Sequence, residues 1–464
     1  MTDTFDVIVL GAGPTGENAA GRVVDNGMTA AIVEPELIGG ECSYWGCIPS
    51  KTLLRPGDVI AAARRVPGAA EAITGRIDAA AAFAQRDYQV SSYDDSGQLP
   101  WLEEKGIELI RGTGRLDGER VVEVALRDGG SRTVTARRAV LLATGTVPLI
   151  PPVPGLAEAA PWTNREATGA KEVPKRLLVV GGGSVGVEMA QAFRRLGSDE
   201  VTVVEGAPRL LGREEPFASD EVKSAFEAEG IRVIVGTAAA EVRRAAPDAP
   251  VTVVLGDGME VEADEILVAV GRRAHTQDIG LDTVGLQPGS YVEVDDRLRA
   301  VGVDGDWLYA LGDVNGRALL THMGKYQARI AGDVLAGKPI RDRASEQVVP
   351  RVTFTDPQVA AVGLTEAQAR EKYANVRTAR SSVGGVAGAY VQGNGIDGTA
   401  LLVIDADRDV IVGATFTGPA IADLLHSATI AIIGEVPLDR LWHAVPSFPT
   451  ISEVWLRLLE SLGL

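Results

Sequence analysis

Cysteine is scarce in this sequence, with two in 464 residues, and histidine is little commoner, with four. A disulfide framework is thereby excluded, and too few ligands remain for a His/Cys metal site, so no metal is expected. Whatever chemistry the two cysteines carry, they carry together. Positive charge is also short: 45 Lys and Arg stand against 63 Asp and Glu, a formal charge of −18. A chain this acidic is repelled by phosphate backbones and anionic lipid, so neither nucleic acid nor a membrane surface is an expected partner. No stretch reaches the ~18 consecutive apolar residues of a membrane span, and Met1 to Asp6 lacks the basic start of a signal peptide. The expected location is cytoplasmic, where thiols stay reduced and a cysteine pair is more often catalytic or redox-sensing than structural.

Glycine, by contrast, is abundant at 54 residues, and hints at many tight strand-to-helix turns. Residues 7–10, 177–180, 201–204, 251–255 and 266–270 are short β-branched runs of the kind that form buried parallel strands. Ala-rich helical patterns at 17–26 and 187–196 alternate with them, which makes an α/β sheet the expected class. A Pro-rich break at 148–154 marks a candidate domain junction, and beyond about 346 mixed patterns lead to a final helix near 454–462.

Gly11-Ala-Gly-Pro-Thr-Gly16 follows the first strand and opens a helix, and Glu34 closes the next strand. In such a fingerprint Gly11, Gly13 and Gly16 allow a tight turn and close approach to a pyrophosphate, while the acid bonds a ribose hydroxyl. The pattern recurs as Gly181, Gly183 and Gly186, with Glu205 closing the following strand. The two starts lie 170 residues apart, which implies two separate nucleotide domains and electron transfer between their ligands. Glu205 favours the ribose diol of NADH over the 2′-phosphate of NADPH; Arg209 and Arg213 close behind soften that preference and keep NADPH open.

Both cysteines fall in Gly39-Gly-Glu-Cys-Ser-Tyr-Trp-Gly-Cys-Ile-Pro-Ser-Lys51. In a regular helix positions i and i+5 have Cα atoms about 8.6 Å apart, beyond the roughly 7 Å limit of a disulfide. A bridge between Cys42 and Cys47 therefore needs a distorted or pre-helical turn, which Gly46 and Pro49 accommodate. Lys51 falls one helical turn after Cys47, on the same face.

Taken in order, Gly11 to Gly16, Cys42 to Lys51, Ala143-Thr144-Gly145, Gly181 to Glu188, Ala269-Val-Gly-Arg-Arg273 and Leu311-Gly-Asp313 resemble the flavoprotein disulfide reductases, the group of dihydrolipoyl dehydrogenase, glutathione reductase and mercuric reductase. The resemblance runs along nearly the whole chain. It implies two Rossmann-like dinucleotide-binding domains plus a C-terminal α+β dimerisation domain: an FAD-binding domain at 1–147 and 273–345, an NAD(P)H-binding domain at 148–272, and an interface domain at 346–464. It implies FAD in the first site, with Thr144 and Gly145 beside it and Asp313 on its ribityl chain, and NADH in the second. Cys42 then meets the substrate, Cys47 lies against the flavin, and Lys51 pairs with Glu188 beside the flavin N5. A homodimer is implied as well.

One position departs from the pattern. Most of the family carries a C-terminal His-Pro-Thr-x-x-Glu, whose imidazole takes the substrate thiol's proton while the Glu orients the ring. This chain reads Phe448-Pro-Thr-Ile-Ser-Glu453, which keeps the frame and Glu453 but has no base at 448. His443 is the candidate replacement; His275, His322 and His426 have no base motif around them. Mercuric reductases also lack that histidine, but they end in a cysteine pair that is absent here. Tyr44 and Trp45, unusual between the cysteines, either cover the domain or pack a flat substrate. The expected function is an FAD- and NADH-dependent oxidoreductase passing electrons to Cys42 and Cys47 and on to a small disulfide. The alternatives are a quinone or other electrophile reduced directly by the flavin, and a thiol redox sensor.

Overall fold

The computed structural model describes residues 3–246 and 249–464. The chain forms two compact units, Met1–Pro49 with Asp87–Leu149 and Arg272–Glu346, and Ser50–Arg86 with Ile150–Gly271 and Gln347–Leu464.

In the first unit, Asp3–Leu10 pairs in parallel with Ala30–Glu34 on one side and Ser131–Leu142 on the other. Glu108–Leu116 and Leu308–Ala310 extend this sheet in parallel, and Val121–Leu126 joins it antiparallel. Val7, Ile8 and Val9 are fully buried on both faces, the reason their run does not alternate. Helices Pro14–Asp25 and Thr321–Leu335 lie against each other, and Arg22 grips Asp333 through two hydrogen bonds of 2.8 and 2.7 Å.

In the second unit, Glu265–Val268, Arg176–Val180, Glu200–Glu205 and Ile231–Val235 form a parallel sheet in that order. Helix Ser184–Leu196 follows the second of these strands. Val251–Leu255, read above as a parallel strand, is instead the middle of an antiparallel sheet between Ala239–Arg244 and Glu260–Ala263. Its connections are far shorter than the dozen or so residues a parallel crossover needs, and its burial alternates along the strand. The run at 266–270 stops at Val268, because the chain turns through Gly271 at φ +137°.

The C-terminal part of this unit is an antiparallel sheet, ordered Arg351–Thr353, Gln358–Gly363, Val410–Gly418, Thr399–Asp405 and Val376–Ser382. The terminal helix Val454–Glu460 packs on it through Trp455 against Phe416, ring centroids 5.8 Å apart. A mainly parallel sheet and a wholly parallel one, each opening on a glycine turn, and an α+β C-terminal portion make up the α/β fold. Among the described residues no helix is long and apolar enough to cross a membrane.

Candidate functional site

Strand Asp3–Leu10 ends at Gly11, whose φ of +102° only glycine adopts readily. A Cβ there would stand 2.5 Å from the Ala143 carbonyl oxygen, and one on Gly16 would stand 1.9 Å from that of Gly11. Gly13, by contrast, faces open space. The helix Pro14–Asp25 thus starts from a tightly closed turn with its leading N–H groups turned outward, an anion cradle. Glu34 accepts hydrogen bonds from the Ala12 and Glu36 amides, both at 2.7 Å, and burial pushes its carboxyl upward.

Two further groups meet the requirements of a large polar ligand. The Thr144 hydroxyl is buried and has no hydrogen-bond partner among the described residues, and Gly145 beside it turns at φ +70°. Asp313, in the turn Gly312–Asn315, accepts from the Thr146 hydroxyl at 2.9 Å. Burial pushes the Asp313 carboxyl up, opposed by that bond and by Arg272. Arg272 also donates to the Thr146 hydroxyl and carbonyl, both at 2.7 Å, and lies 3.6 Å from Glu41. Neither Arg272 nor Thr146 was assigned a role from the sequence, although Arg272 sits inside a recognised motif. These residues fit a dinucleotide whose pyrophosphate meets Gly13 and whose hydroxyl groups meet Glu34, Thr144 and Asp313.

The cysteine segment is built onto the same turn. The Gly39 amide donates to the Ala12 carbonyl at 2.8 Å, and a Cβ on Gly40 would meet the Gly13 Cα at 2.8 Å. Cys42 lies in the short helix Gly40–Tyr44, the chain breaks at Trp45 and Gly46, and Cys47 starts the helix Cys47–Arg64. This break is a distortion of the kind a bridge requires, although both cysteines are free thiols here. Cys42 is half-buried and Cys47 exposed; the bond to Cys47 and burial together push the Cys42 thiol well up. The Thr321 hydroxyl lies 3.5 Å from the Cys47 sulfur, a neighbour no spacing argument could supply. Tyr44 is buried, and it and Trp45 cluster with Tyr93, at centroid distances of 5.7, 6.4 and 6.0 Å.

The second unit repeats the cradle. Gly181 turns at φ +114° with a would-be Cβ 2.4 Å from the Ala269 carbonyl; that of Gly186 would lie 1.9 Å from the Gly181 carbonyl, and Gly183 is open. Glu205 accepts from the Gly182 amide at 2.6 Å and the Ala207 amide at 2.7 Å, just as Glu34 does in the first. These residues fit a second dinucleotide.

Glu188, on helix Ser184–Leu196, is buried and bonds Lys51 Nζ at 2.7 Å and the Phe354 amide at 2.9 Å. Lys51 also stands over the Phe354 ring, 5.0 Å from its centroid. Further along the two helices, Arg195 bonds Glu229, Asp58 and Asp356, and Arg65 holds Asp356 with two bonds of 2.8 Å. Burial raises Asp58 to about 6 despite Arg195. Glu188→Gln leaves Lys51 without its counter-charge, and is expected to lower stability by about 1–3 kcal/mol, read as a fall in the chemical-denaturation midpoint at unchanged slope. A midpoint equal to wild type would mean that the pair is not supporting this part of the fold.

Near the C-terminus Phe448 is 75% exposed and His443 is exposed too. Glu453 is buried; it accepts from the Ala387 amide at 3.3 Å and pairs with Arg457 at 2.9 Å. Nothing in these contacts gives His443 the role of a base. Among the described residues no group of three or more His, Cys, Asp and Glu is placed to hold a metal ion.

Residues 5–328 match the pyridine nucleotide-disulphide oxidoreductase family and residues 349–458 match its dimerisation domain. A dihydrolipoyl dehydrogenase from Chlorobaculum tepidum is 35% identical over 457 residues, 97% of this chain and 95% of that one. A mercuric reductase from Staphylococcus aureus is 30% identical over 453 residues, 97% of this chain and 81% of that one. In three dimensions the chain is similar to the HOCl-induced flavoprotein disulfide reductase RclA from Escherichia coli, solved as a Cu(II) complex. The TM-score is 0.86 at 23% identity, with 99% of each chain covered.

Proposed function

Because the chain belongs to the pyridine nucleotide-disulphide oxidoreductase family, we propose that it is an NADH-oxidising flavoenzyme whose redox dithiol is Cys42 and Cys47 and which works without a histidine base at 448. Members of the family are oxidoreductases that use FAD and a pyridine nucleotide. The observation that carries the finer reading is the placement of both cysteines either side of one helix break, on a segment moored to the Gly11–Gly16 cradle. Bound FAD supplies the two-electron relay between nicotinamide and dithiol.

The chain's own residues do the rest. Gly11, Gly13 and Gly16 admit the FAD pyrophosphate, Glu34 holds its ribose, and Thr144, Gly145 and Asp313 line its remaining hydroxyl groups. Gly181, Gly183, Gly186 and Glu205 do the same for the nicotinamide nucleotide. Glu205 supports NADH over NADPH, and Arg209 donates to the Gly212 and Glu214 carbonyls of its own loop, at 3.0 and 3.2 Å. Cys42 faces the acceptor and keeps its proton, Cys47 exchanges electrons, and Lys51, held by Glu188, brings positive charge one turn along the helix from Cys47. The domain division 1–147 with 273–345, 148–272 and 346–464 belongs to this proposal, as do a cytoplasmic location and a homodimer. Exposed Ile430, Ile433, Val445 and Phe448 in the dimerisation domain support the latter.

For the acceptor, two branches stand. A small disulfide suits the dithiol. A quinone or similar electrophile, which has no thiol proton to remove, suits Phe448 in place of the base. Anaerobic titration of the holoenzyme with NADH is expected to give a two-electron-reduced form with long-wavelength flavin–thiolate absorbance, absent in Cys47→Ser. The same band in Cys47→Ser, or none in wild type, would refute the relay. A screen of disulfides and quinones against wild type and Cys42→Ser then separates the branches; one stoichiometric reduction without turnover would mark a redox sensor instead.

A further inference from the structure

One turn packed on the cysteine segment is held in a conformation that ordinary residues avoid. Ser91, Ser92 and Tyr93 follow one another at φ +48°, +51° and +63°, in the left-handed region that residues other than glycine visit singly, not in a row. The Tyr93 hydroxyl is buried with no hydrogen-bond partner among the described residues, which adds a second cost. Such a turn persists only where its surroundings over-determine it. Two contacts do so here. Asp95 accepts from the Ile38 amide and from Arg111, both at 2.7 Å, and the Tyr93 ring stacks on that of Trp45 at a centroid distance of 6.0 Å and an interplanar angle of 28°.

Trp45 is where this stack meets the cysteines. Its amide donates to the Glu41 carbonyl at 2.8 Å, so it closes the short helix Gly40–Tyr44, and Cys42 stands three residues before it on the same side. The two aromatic residues between the cysteines thereby divide the roles left open by the sequence. Tyr44 is 4% exposed and packs the interior. Trp45 and Tyr93 are only half-buried and keep part of a paired aromatic surface at the exterior.

We infer that Trp45 is a specificity-determining residue that holds a planar quinone beside Cys42, with Tyr93 as the positioning residue that fixes its indole. The inference rests on the function proposed above and selects its quinone branch. Aromatic faces carry partial negative charge. A quinone ring, depleted of electrons by its two carbonyl groups, is the complementary partner, whereas an aliphatic disulfide has no ring face to offer. The NADH hydride brings two electrons and one proton and water supplies a second proton, so both C=O groups of the quinone become C–OH while NADH becomes NAD⁺. No thiol proton has to be removed, and Phe448 is no handicap to that reaction.

The test is equilibrium dialysis of duroquinone, whose ring carbons all carry methyl groups and resist thiol addition, against oxidised holoenzyme of wild type, Trp45→Leu, Tyr93→Leu and Tyr93→Phe. Hydroxyethyl disulfide is dialysed in parallel. Trp45→Leu is expected to weaken duroquinone binding about fivefold, the size of one lost aromatic pair. Tyr93→Leu, which frees the indole, is expected to weaken it as well, and Tyr93→Phe, which keeps the stack, to restore it. In steady-state turnover the change in Trp45→Leu should fall on KM for duroquinone more than on kcat. Duroquinone affinity in Trp45→Leu equal to wild type, no saturable binding to wild type, or an equal loss of hydroxyethyl disulfide affinity would each overturn the assignment. Dialysis needs no NADH, so a wild type that NADH fails to reduce would count against the proposed function and leave the binding result standing. Circular dichroism of each variant separates loss of fold from loss of the aromatic face.

Discussion

Phe448→His is expected to raise turnover of small disulfides by about 10²-fold, the lower end of the roughly 10²- to 10⁴-fold that a positioned acid/base group contributes. The frame around the position is intact, from Pro449 to Glu453, so on the proposed function the substitution puts a proton acceptor where the resemblance places one. The lower end applies because Glu453, the residue that would orient the ring, is already bonded to Arg457 and the Ala387 amide. The gain should follow an ionisation near about 6.5, the ordinary value for imidazole: present above it, where the ring is neutral and can accept a proton, and lost as the pH falls through it. Initial rates with a small disulfide from pH 5 to 8 would check this. An unchanged rate would show that proton removal was never limiting, and would move the acceptor toward the quinone branch. Quinone reduction should be the same in both proteins.

Gly186→Val is expected to abolish reduction by NADH while the protein keeps its FAD. Any Cβ at this position would lie 1.9 Å from the Gly181 carbonyl oxygen, so the helix and the turn must separate. A displacement on the order of 1 Å in a positioning element can cost about 10²-fold in rate. The flavin spectrum reads the first cradle, stopped-flow reduction by NADH reads the second, and dithionite reduction shows that the rest still works. Gly16→Val, with the same 1.9 Å encounter in the first unit, should give the complementary result, protein with little flavin. Normal NADH reduction in Gly186→Val would remove the second cradle from the mechanism.

The family and the fold were legible in the sequence because their motifs sit at fixed offsets within single turns. Gly11, Gly13 and Gly16 are close together in the chain, so spacing implied their turn, whereas the spacing of Cys42 and Cys47 implied only that a regular helix must break between them, as it does. The pairing of Lys51 with Glu188 spans 137 residues and came from resemblance, not from spacing. Thr321 near Cys47, and Arg272 with Thr146 beside Asp313, were invisible because their partners are remote in sequence and each residue type is unremarkable alone. The run at 251–255 misled for a different reason. A β-branched segment has the same composition in parallel and antiparallel sheets, and only the length of its connections tells them apart.

The contact between Gly39-Gly40 and Ala12-Gly13 is made main chain to main chain. Side chains relax through rotamers, but this joint has none, so a shift of the first turn passes undamped to the cysteines. The spacing between the two sulfurs is therefore a gauge of how well that turn is formed. Cross-linking of Cys42 and Cys47 by short bifunctional reagents would report the ordering of a loop that contains no cysteine itself.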